Sequence, residues 1–223
     1  MSGEAANPVR PRKERVENAT KRRRQIIQAT LSSVVKNGLA ATTLATVAQE
    51  AGLSQGVAVF YFKNKHTLLA EALRSHFEKY RENWRTALDA TGSHPVDRIV
   101  ALVRADFDEE VCNPQALAIW HAFWGEANAR PLYAEIAKEL DADRTAEMHN
   151  ACVELLKRDG KEQSHAALLA AGVDSLTDGL WLRIYLTPES LTPALALEIT
   201  ARHLAADFPE HAEAFLSRLV PRR

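Results

Sequence analysis

The segment from Thr42 to Leu69 decides the fold, and its sequence is TTLATVAQEAGLSQGVAVFYFKNKHTLL. Its first part predicts a short amphipathic helix, because apolar residues recur every three or four positions after a capping Thr42 or Thr43. Gly52 is expected to end this helix, since the residue after a helix often needs a positive φ, which glycine adopts without strain. The apolar face of the helix comprises Leu44, Val47, Ala48 and Ala51.

A second short helix is predicted over residues 55–62, with Ser54 as its N-cap and with Val57 and Phe60 turned inward. Asn64 is expected to cap a third helix that follows almost at once. Two short helices joined by a glycine-containing turn have the layout of a helix-turn-helix, whose second helix enters the DNA major groove. The segment therefore predicts DNA binding.

The charge distribution agrees with a DNA-binding N-terminal third. Residues 1–85 hold 15 Lys and Arg against 7 Asp and Glu, whereas residues 86–223 hold 13 against 22. A local excess of positive charge attracts the phosphate backbone. The pattern predicts a basic nucleic-acid module joined to an acidic domain with another task.

The remaining composition narrows the class of protein. Cys112 and Cys152 are too few for a zinc finger or a disulfide scaffold, so we expect reduced thiols, no metal site and no cofactor. No signal peptide and no apolar run of membrane-spanning length is evident, which predicts a cytoplasmic protein. The eight histidines and the two cysteines form no catalytic motif, so no enzyme is predicted.

No stretch alternates with a period of two, so the sequence predicts an all-α protein of about nine helices. The first helix is expected to end at Gly38, and a long helix from Asn64 through Trp84 would link two domains and carry a signal between them. The predicted organisation is a disordered basic arm over residues 1–18, a helix-turn-helix domain over 19–66, a helical ligand-binding and dimerisation domain over 67–208, and a tail over 209–223.

Side-chain chemistry suggests which residues of the N-terminal domain touch DNA. Gln55 can reach base edges, adenine above all, and Val57 or Val59 can contact a thymine methyl group if it faces outward. The Tyr61 hydroxyl and Lys65 can bind phosphates, and Thr43 lies at a helix N-terminus that favours one. The predicted contacts are Arg22, Arg23, Thr42, Thr43, Ser54, Gln55, Gly56, Val57, Tyr61 and Lys65.

Residues 22–73 resemble the DNA-binding module of TetR-type transcriptional regulators. The resemblance implies an Ω-shaped, all-helical homodimer that binds a palindromic operator and leaves it when a small molecule enters the C-terminal domain. The matching features are a basic first helix, Asn37-Gly38, Thr42-Thr43, Val47-Ala48, Ala51-Gly52-Leu53-Ser54, Val59-Phe60-Tyr61-Phe62-Lys63-Asn64-Lys65 and Leu68-Leu69.

Aromatic residues in the C-terminal domain cluster at helical spacing. One group spans residues 120–124, and Trp181 and Tyr185 form a second pair with Asp178 one turn earlier. Such stripes are commonly core, but indole and phenol rings facing a cavity also form a cage for a quaternary ammonium. The predicted ligand contacts are Asp106, Phe107, Trp120, Phe123, Trp124, Asp178, Trp181 and Tyr185.

The C-terminal domain also resembles the sensor domain of the choline-responsive repressors within this family. The resemblance implies repression of genes for choline uptake and glycine betaine synthesis, with choline as the releasing effector. A repressor of an efflux or catabolic operon that responds to another lipophilic or aromatic compound is the alternative. The similar stretches are Phe107-Asp108-Glu109, residues 118–124, Pro131-Leu132-Tyr133 and residues 178–183.

The last two predicted helices, residues 163–186 and 193–208, suit a dimer interface, because Ala166, Ala170 and Gly172 allow close helix approach. A protein that binds palindromic DNA must itself have two-fold symmetry, so we expect a homodimer formed through these helices. Ordinary packing within one chain is the alternative. A ligand-independent DNA-architectural protein would need neither this acidic domain nor its aromatic clusters.

Overall fold

The computed structural model of the protein describes residues 12–127 and 131–220, with side chains from residue 16 onward. Within these ranges the chain forms ten α-helices, two short 3₁₀ turns and no strand. The helices are α1 (Arg12–Ala41), α2 (Leu44–Glu50), α3 (Gln55–Phe62), α4 (Lys65–Asp89), α5 (Pro95–Asp106), α6 (Pro114–Glu126), α7 (Pro131–Arg158), α8 (Ala166–Leu186), α9 (Pro193–Asp207) and α10 (Ala212–Leu219).

The all-α prediction is confirmed, with one helix more than the expected nine. The extra helix, α10, lies in the segment expected to be a tail, and it is held because Phe215 and Leu219 are buried and Phe215 packs 5.9 Å from Phe208, between ring centroids. At the other end, residues 12–18 of the expected disordered arm are already part of α1. Residues 1–11 lie outside the described part of the chain.

Local signals in the sequence set most helix ends. Gly38 and Gly52 have positive φ values of 75° and 65°. Gly52 follows the end of α2, as predicted, whereas Gly38 is a non-helical residue that interrupts α1, which continues to Ala41. Thr43 caps α2 through a reciprocal bond with Thr46, and the Asn64 side chain accepts from the Thr67 amide at 2.9 Å at the start of α4. Ser54 occupies the N-cap position of α3 without a capping bond from its side chain.

The chain divides into two compact units, Met1–Ala72 and Leu73–Arg223, and the division falls within α4. In the first unit, Ala58 and Phe62 are the buried residues of α3. Phe60, expected to turn inward, is 79% exposed instead. The reason is geometric: two residues correspond to about 200° around a helix, so Phe60 lies opposite the face that Ala58 and Phe62 bury.

The second unit packs its helices around aliphatic and aromatic side chains. Ile99 and Leu102 of α5 are fully buried, and Met148 and Leu155 of α7 are buried with them. Helices α5, α7 and α8 contact one another in series, while α9 packs against α8 and α10. No helix in the described ranges is long and apolar enough to span a membrane.

Candidate functional site

Helix α3 presents a continuous exposed surface. Gln55, Gly56, Val59 and Phe60 are exposed, while Val57 is partly buried. A small residue, an amide and apolar groups on one short helix match the side chains that read base edges and thymine methyl groups. The exposed Phe60 was missed as a candidate because an aromatic residue in an amphipathic segment is usually core.

Tyr61 and Thr43 remain at accessible positions in the first unit. Tyr61 is partly exposed and its ring stands edge-on to Phe60, with 5.3 Å between centroids. Thr43 is exposed at the N-terminus of α2. Thr42 is different, because its side chain is buried and its hydroxyl donates to the Gly38 carbonyl at 2.8 Å. Thr42 therefore leaves the predicted set of DNA contacts.

Two predicted DNA contacts, Arg23 and Lys65, hold the first unit together in the structure. Arg23 forms an ion pair with Glu71 at 2.9 Å and lies over the Phe62 ring. The Lys65 ammonium donates to the carbonyls of Leu39 and Ala40, at 2.7 and 2.8 Å, where α1 ends. These two cations have structural tasks that the sequence did not reveal, because their partners are 25 to 48 residues away along the chain.

Arg22 also has an intramolecular partner, since its Nη1 donates to the Gln25 side chain at 2.7 Å. This bond is exposed and spans less than one helical turn, so it costs little to exchange for a phosphate. Lys21, Arg24 and Lys63 are exposed cations of the same unit. The exposed cations around α1 and α3 are therefore not the same residues as those predicted to contact DNA.

The second unit contains a cavity of about 780 Å³ between α4, α6, α7 and α8. Trp120, Trp124 and Trp181 line it with nearly parallel rings, at 19–29° to one another and 5.8–6.4 Å between centroids. Tyr80 stands edge-on to this group, 5.8 Å from Trp120 and 5.6 Å from Trp181. Four aromatic rings from three helices thus form one wall.

A buried ion-pair network fixes this wall. Arg144 donates to both oxygens of Asp106, at 3.2 and 2.5 Å, and to Asp174 at 2.7 Å. Asp106 also accepts from the Tyr80 hydroxyl at 2.8 Å, and its backbone carbonyl accepts from Trp181 Nε1 at 2.7 Å. Asp106 was predicted to bind a ligand directly, but its carboxylate is occupied by Arg144 and Tyr80 and instead positions the aromatic side chains.

Two other carboxyl groups face the cavity without a hydrogen bond or ion-pair partner among the described residues. These are Asp141 of α7 and Asp178 of α8. Asp178 is reachable from the cavity, yet the surrounding protein removes enough water to raise its pKa to about 7, with nearby Asp106 and Asp141 adding to the shift. Desolvation also raises the pKa of Asp141. Such groups favour a positively charged occupant.

The structure brings together some of the predicted ligand residues and separates others. Trp120, Trp124, Asp178 and Trp181 line the cavity together with Asp106. Phe107, Phe123 and Tyr185 lie outside the lining: Phe107 and Phe123 are buried in the core, and Tyr185 is 41% exposed beside His121.

The cavity also contains residues that the sequence analysis missed. Phe77 and Tyr80 contribute from α4, while Asp141, Arg144 and Asp174 contribute from α7 and α8. The spacing of Phe77 and Tyr80 indicated only an apolar helix face. The charged residues carried a weak signal, because Asp141 and Arg144 are one turn apart on an otherwise amphipathic helix.

Comparison with known proteins agrees with this architecture. The profile of the BetI-type transcriptional repressor C-terminal family matches residues 95–209, and that of the tetR family of bacterial regulatory proteins matches residues 26–72. The chain belongs to the TetR family, with a BetI-type C-terminal domain. It is 32% identical to the HTH-type transcriptional regulator BetI of Serratia proteamaculans, over 85% of this chain and 94% of that protein. It is 35% identical to BetI of Burkholderia lata, over 80% and 89%.

Solved structures of other transcriptional regulators share the fold. A putative transcriptional regulator from Pseudomonas aeruginosa PAO1 superposes with a TM-score of 0.79 at 26% identity, over 92% of this chain and 98% of that one. A putative transcriptional regulator from Saccharomonospora viridis, solved in complex with choline, gives a TM-score of 0.71 at 19% identity, over 86% and 97%. As a TetR-family member, the protein is a DNA-binding transcriptional regulator and not an enzyme.

Proposed function

We propose that this TetR-family regulator represses genes for choline uptake and glycine betaine synthesis, and that choline bound in the cavity releases it from its operator. The observation that carries the proposal is the wall of Trp120, Trp124, Trp181 and Tyr80 in a cavity whose carboxyl groups exceed its cations. BetI relatives at 32–35% identity support it. The regulator from Saccharomonospora viridis adds a neighbour of the same fold that holds choline.

The chemistry of the cavity suits a quaternary ammonium. Such a group cannot donate a hydrogen bond, and it is held by the faces of aromatic rings, each contributing about 0.5–2 kcal/mol depending on desolvation. Asp178 at the same wall adds a negative charge when ionised. An aromatic wall that the Arg144 network already holds in place loses little freedom on binding, which favours affinity.

The proposed DNA contacts follow the exposed surface of α3 and the start of α2. Gln55 and Val57 would face base edges, while Thr43 and Tyr61 would bind phosphates. Phe60 joins this set as an apolar contact, since it is 79% exposed. The proposed set is Arg22, Thr43, Ser54, Gln55, Gly56, Val57, Phe60 and Tyr61.

We further propose that two copies bind a palindromic operator through their α3 helices and dimerise through α8 and α9. Both helices carry exposed leucines, Leu168 and Leu186 on α8 and Leu195 on α9. Helix α4 is the proposed link between effector and DNA, because it begins in the first unit and lines the cavity with Phe77 and Tyr80. Effector binding would then bias the position of this helix.

The test is calorimetric titration of the purified protein with choline, paired with operator binding measured by fluorescence anisotropy. Trp124→Ala should lose most of the choline heat, because Trp124 lines the cavity and is partly exposed. Tyr185→Ala is the matched control: an aromatic residue of α8 outside the lining, it should leave the affinity unchanged. Choline should release the wild-type protein from DNA but not the Trp124→Ala variant.

The second candidate function is repression of an efflux or catabolic operon in response to a lipophilic effector, and the volume of the cavity favours it. Cavities of about 300–1,000 Å³ take drug-sized ligands, which are larger than choline. No choline heat from a protein that still binds its operator would reject the choline proposal. Binding of uncharged aromatic compounds by that protein would then support the second candidate.

A further inference from the structure

The cavity is incomplete within one copy of the chain. Its inner part is closed by the buried Trp120 and Trp181, but its outer part runs between α7 and α8 and is lined by exposed side chains. Ala171 and Ser175 form this outer edge on α8, and Thr145 forms it on α7. A cation bound here would remain in contact with water on one side, which weakens aromatic and ionic contacts alike.

Next to that open edge, helix α8 carries a stripe of exposed leucines. Successive residues turn by about 100°, which places Leu168, Leu182 and Leu186 on one stripe, within about 40° of each other around the helix axis. These leucines are 72%, 43% and 61% exposed. Ala171, in the cavity lining, lies on one flank of the stripe. On the other flank Gly172 faces α9, where a Cβ added to Gly172 would lie 3.8 Å from His203 Nε2.

The stripe between the cavity and α9 carries no charge and consists mainly of leucines and small residues. Besides its leucines it contains Ser175 and Gly179, which are exposed. In an isologous interface a residue meets the same surface of its partner, so a charged stripe would place like charges together. A neutral stripe of leucine and small residues is therefore suited to a second copy of itself.

We propose that a second copy of the chain docks on this stripe of α8 and forms the missing outer wall of each effector cavity. The inference builds on the proposed dimer, and adds that the partner encloses the effector. Because the stripe and the cavity edge are adjacent on one helix, a helix laid on the leucines covers Ala171 and Ser175 as well. Effector binding and dimerisation are then coupled. If dimerisation raises the effector affinity of each cavity by a given factor, filling both cavities raises the dimerisation constant by the square of that factor.

The first test needs no effector. Ala171→Cys places a thiol in the cavity lining, where a maleimide reagent can reach it, whereas the native Cys112 and Cys152 are buried. We expect labelling of the Ala171→Cys dimer to be at least tenfold slower than labelling of the same protein carrying Leu168→Arg, which should be monomeric. Leu132→Arg on α7, also at an exposed leucine, is the control and should leave both dimer and labelling rate unchanged.

Sizing chromatography and circular dichroism accompany each variant, and Leu182→Arg replaces Leu168→Arg if the latter fails to fold. A dimer that persists in both arginine variants overturns the proposal, because the interface then lies elsewhere. Equal labelling rates in dimer and monomer also overturn it, because the partner then does not cover the cavity.

The second test uses choline as the probe. The folded monomer should bind choline at least tenfold more weakly than the wild-type dimer. In sedimentation velocity, saturating choline should strengthen the wild-type dimer by the square of that factor, about a hundredfold or more, because each dimer has two cavities. Equal affinities in monomer and dimer would overturn the proposal. If the wild type does not bind choline, the proposed effector is wrong, and the labelling experiment still decides whether a partner forms the wall.

Discussion

The carboxyl group of Asp178 should make choline binding depend on pH near neutrality. Desolvation and the neighbouring Asp106 and Asp141 raise its pKa to about 7, while Arg144 acts in the opposite direction. A cation is attracted by the ionised form only, so affinity rises as pH rises through this pKa. If the protonated form does not bind, linkage predicts an affinity about tenfold higher at pH 8 than at pH 6.

The assay is calorimetric titration with choline at pH 6, 7 and 8, in buffers of matched ionic strength. Asp178→Asn, which resembles the protonated form, should bind choline no more tightly than the wild type does at pH 6, and its profile should be nearly flat. His149 also lines the cavity. His149→Gln is therefore measured in parallel and should retain the wild-type slope.

Two results would refute this reasoning. A wild-type affinity that is constant from pH 6 to pH 8 would mean that Asp178 does not titrate in contact with the ligand. A slope that persists in Asp178→Asn would mean that the pH dependence does not come from this carboxyl group.

Three further predictions concern stability and DNA binding. Arg144→Met should lower the free energy of unfolding in urea by about 3–5 kcal/mol, because it leaves the charge of the buried Asp106 uncompensated. Arg74→Met removes only an exposed ion pair with Glu139 and should cost less than about 1 kcal/mol, so equal losses would contradict the role assigned to the network. Burial lowers the pKa of His76 to about 4, so the folded state resists protonation and should lose about 2 kcal/mol between pH 7.5 and pH 5; His76→Gln should reduce this loss. Phe60→Ala should weaken operator binding, measured by fluorescence anisotropy, by up to about 1.5–3 kcal/mol, because DNA would cover this exposed ring. The free energy of unfolding should not fall, and an unchanged operator affinity would remove Phe60 from the proposed interface.

Local sequence signals were enough to predict the helix-turn-helix domain. A helix end depends on a few neighbouring residues, so Gly52, Thr43 and Asn64 could be placed from sequence, and the structure confirms their roles. Gly38 interrupts α1 and does not end it. Periodicity likewise predicted an all-α chain. It also grouped Trp120 with Trp124 and singled out Trp181, because residues one turn apart share a helix face.

The tertiary structure alone decided which of these residues meet and what their neighbours do. Tyr80, Asp106, Arg144 and Asp174 come from four helices, and their hydrogen bonds join residues 26 to 38 positions apart, beyond any local pattern. The same holds for Lys65, whose carbonyl partners lie 25 and 26 residues earlier. Helical spacing fixes which face a side chain occupies, but the packing of distant helices determines whether that face becomes core, cavity or surface.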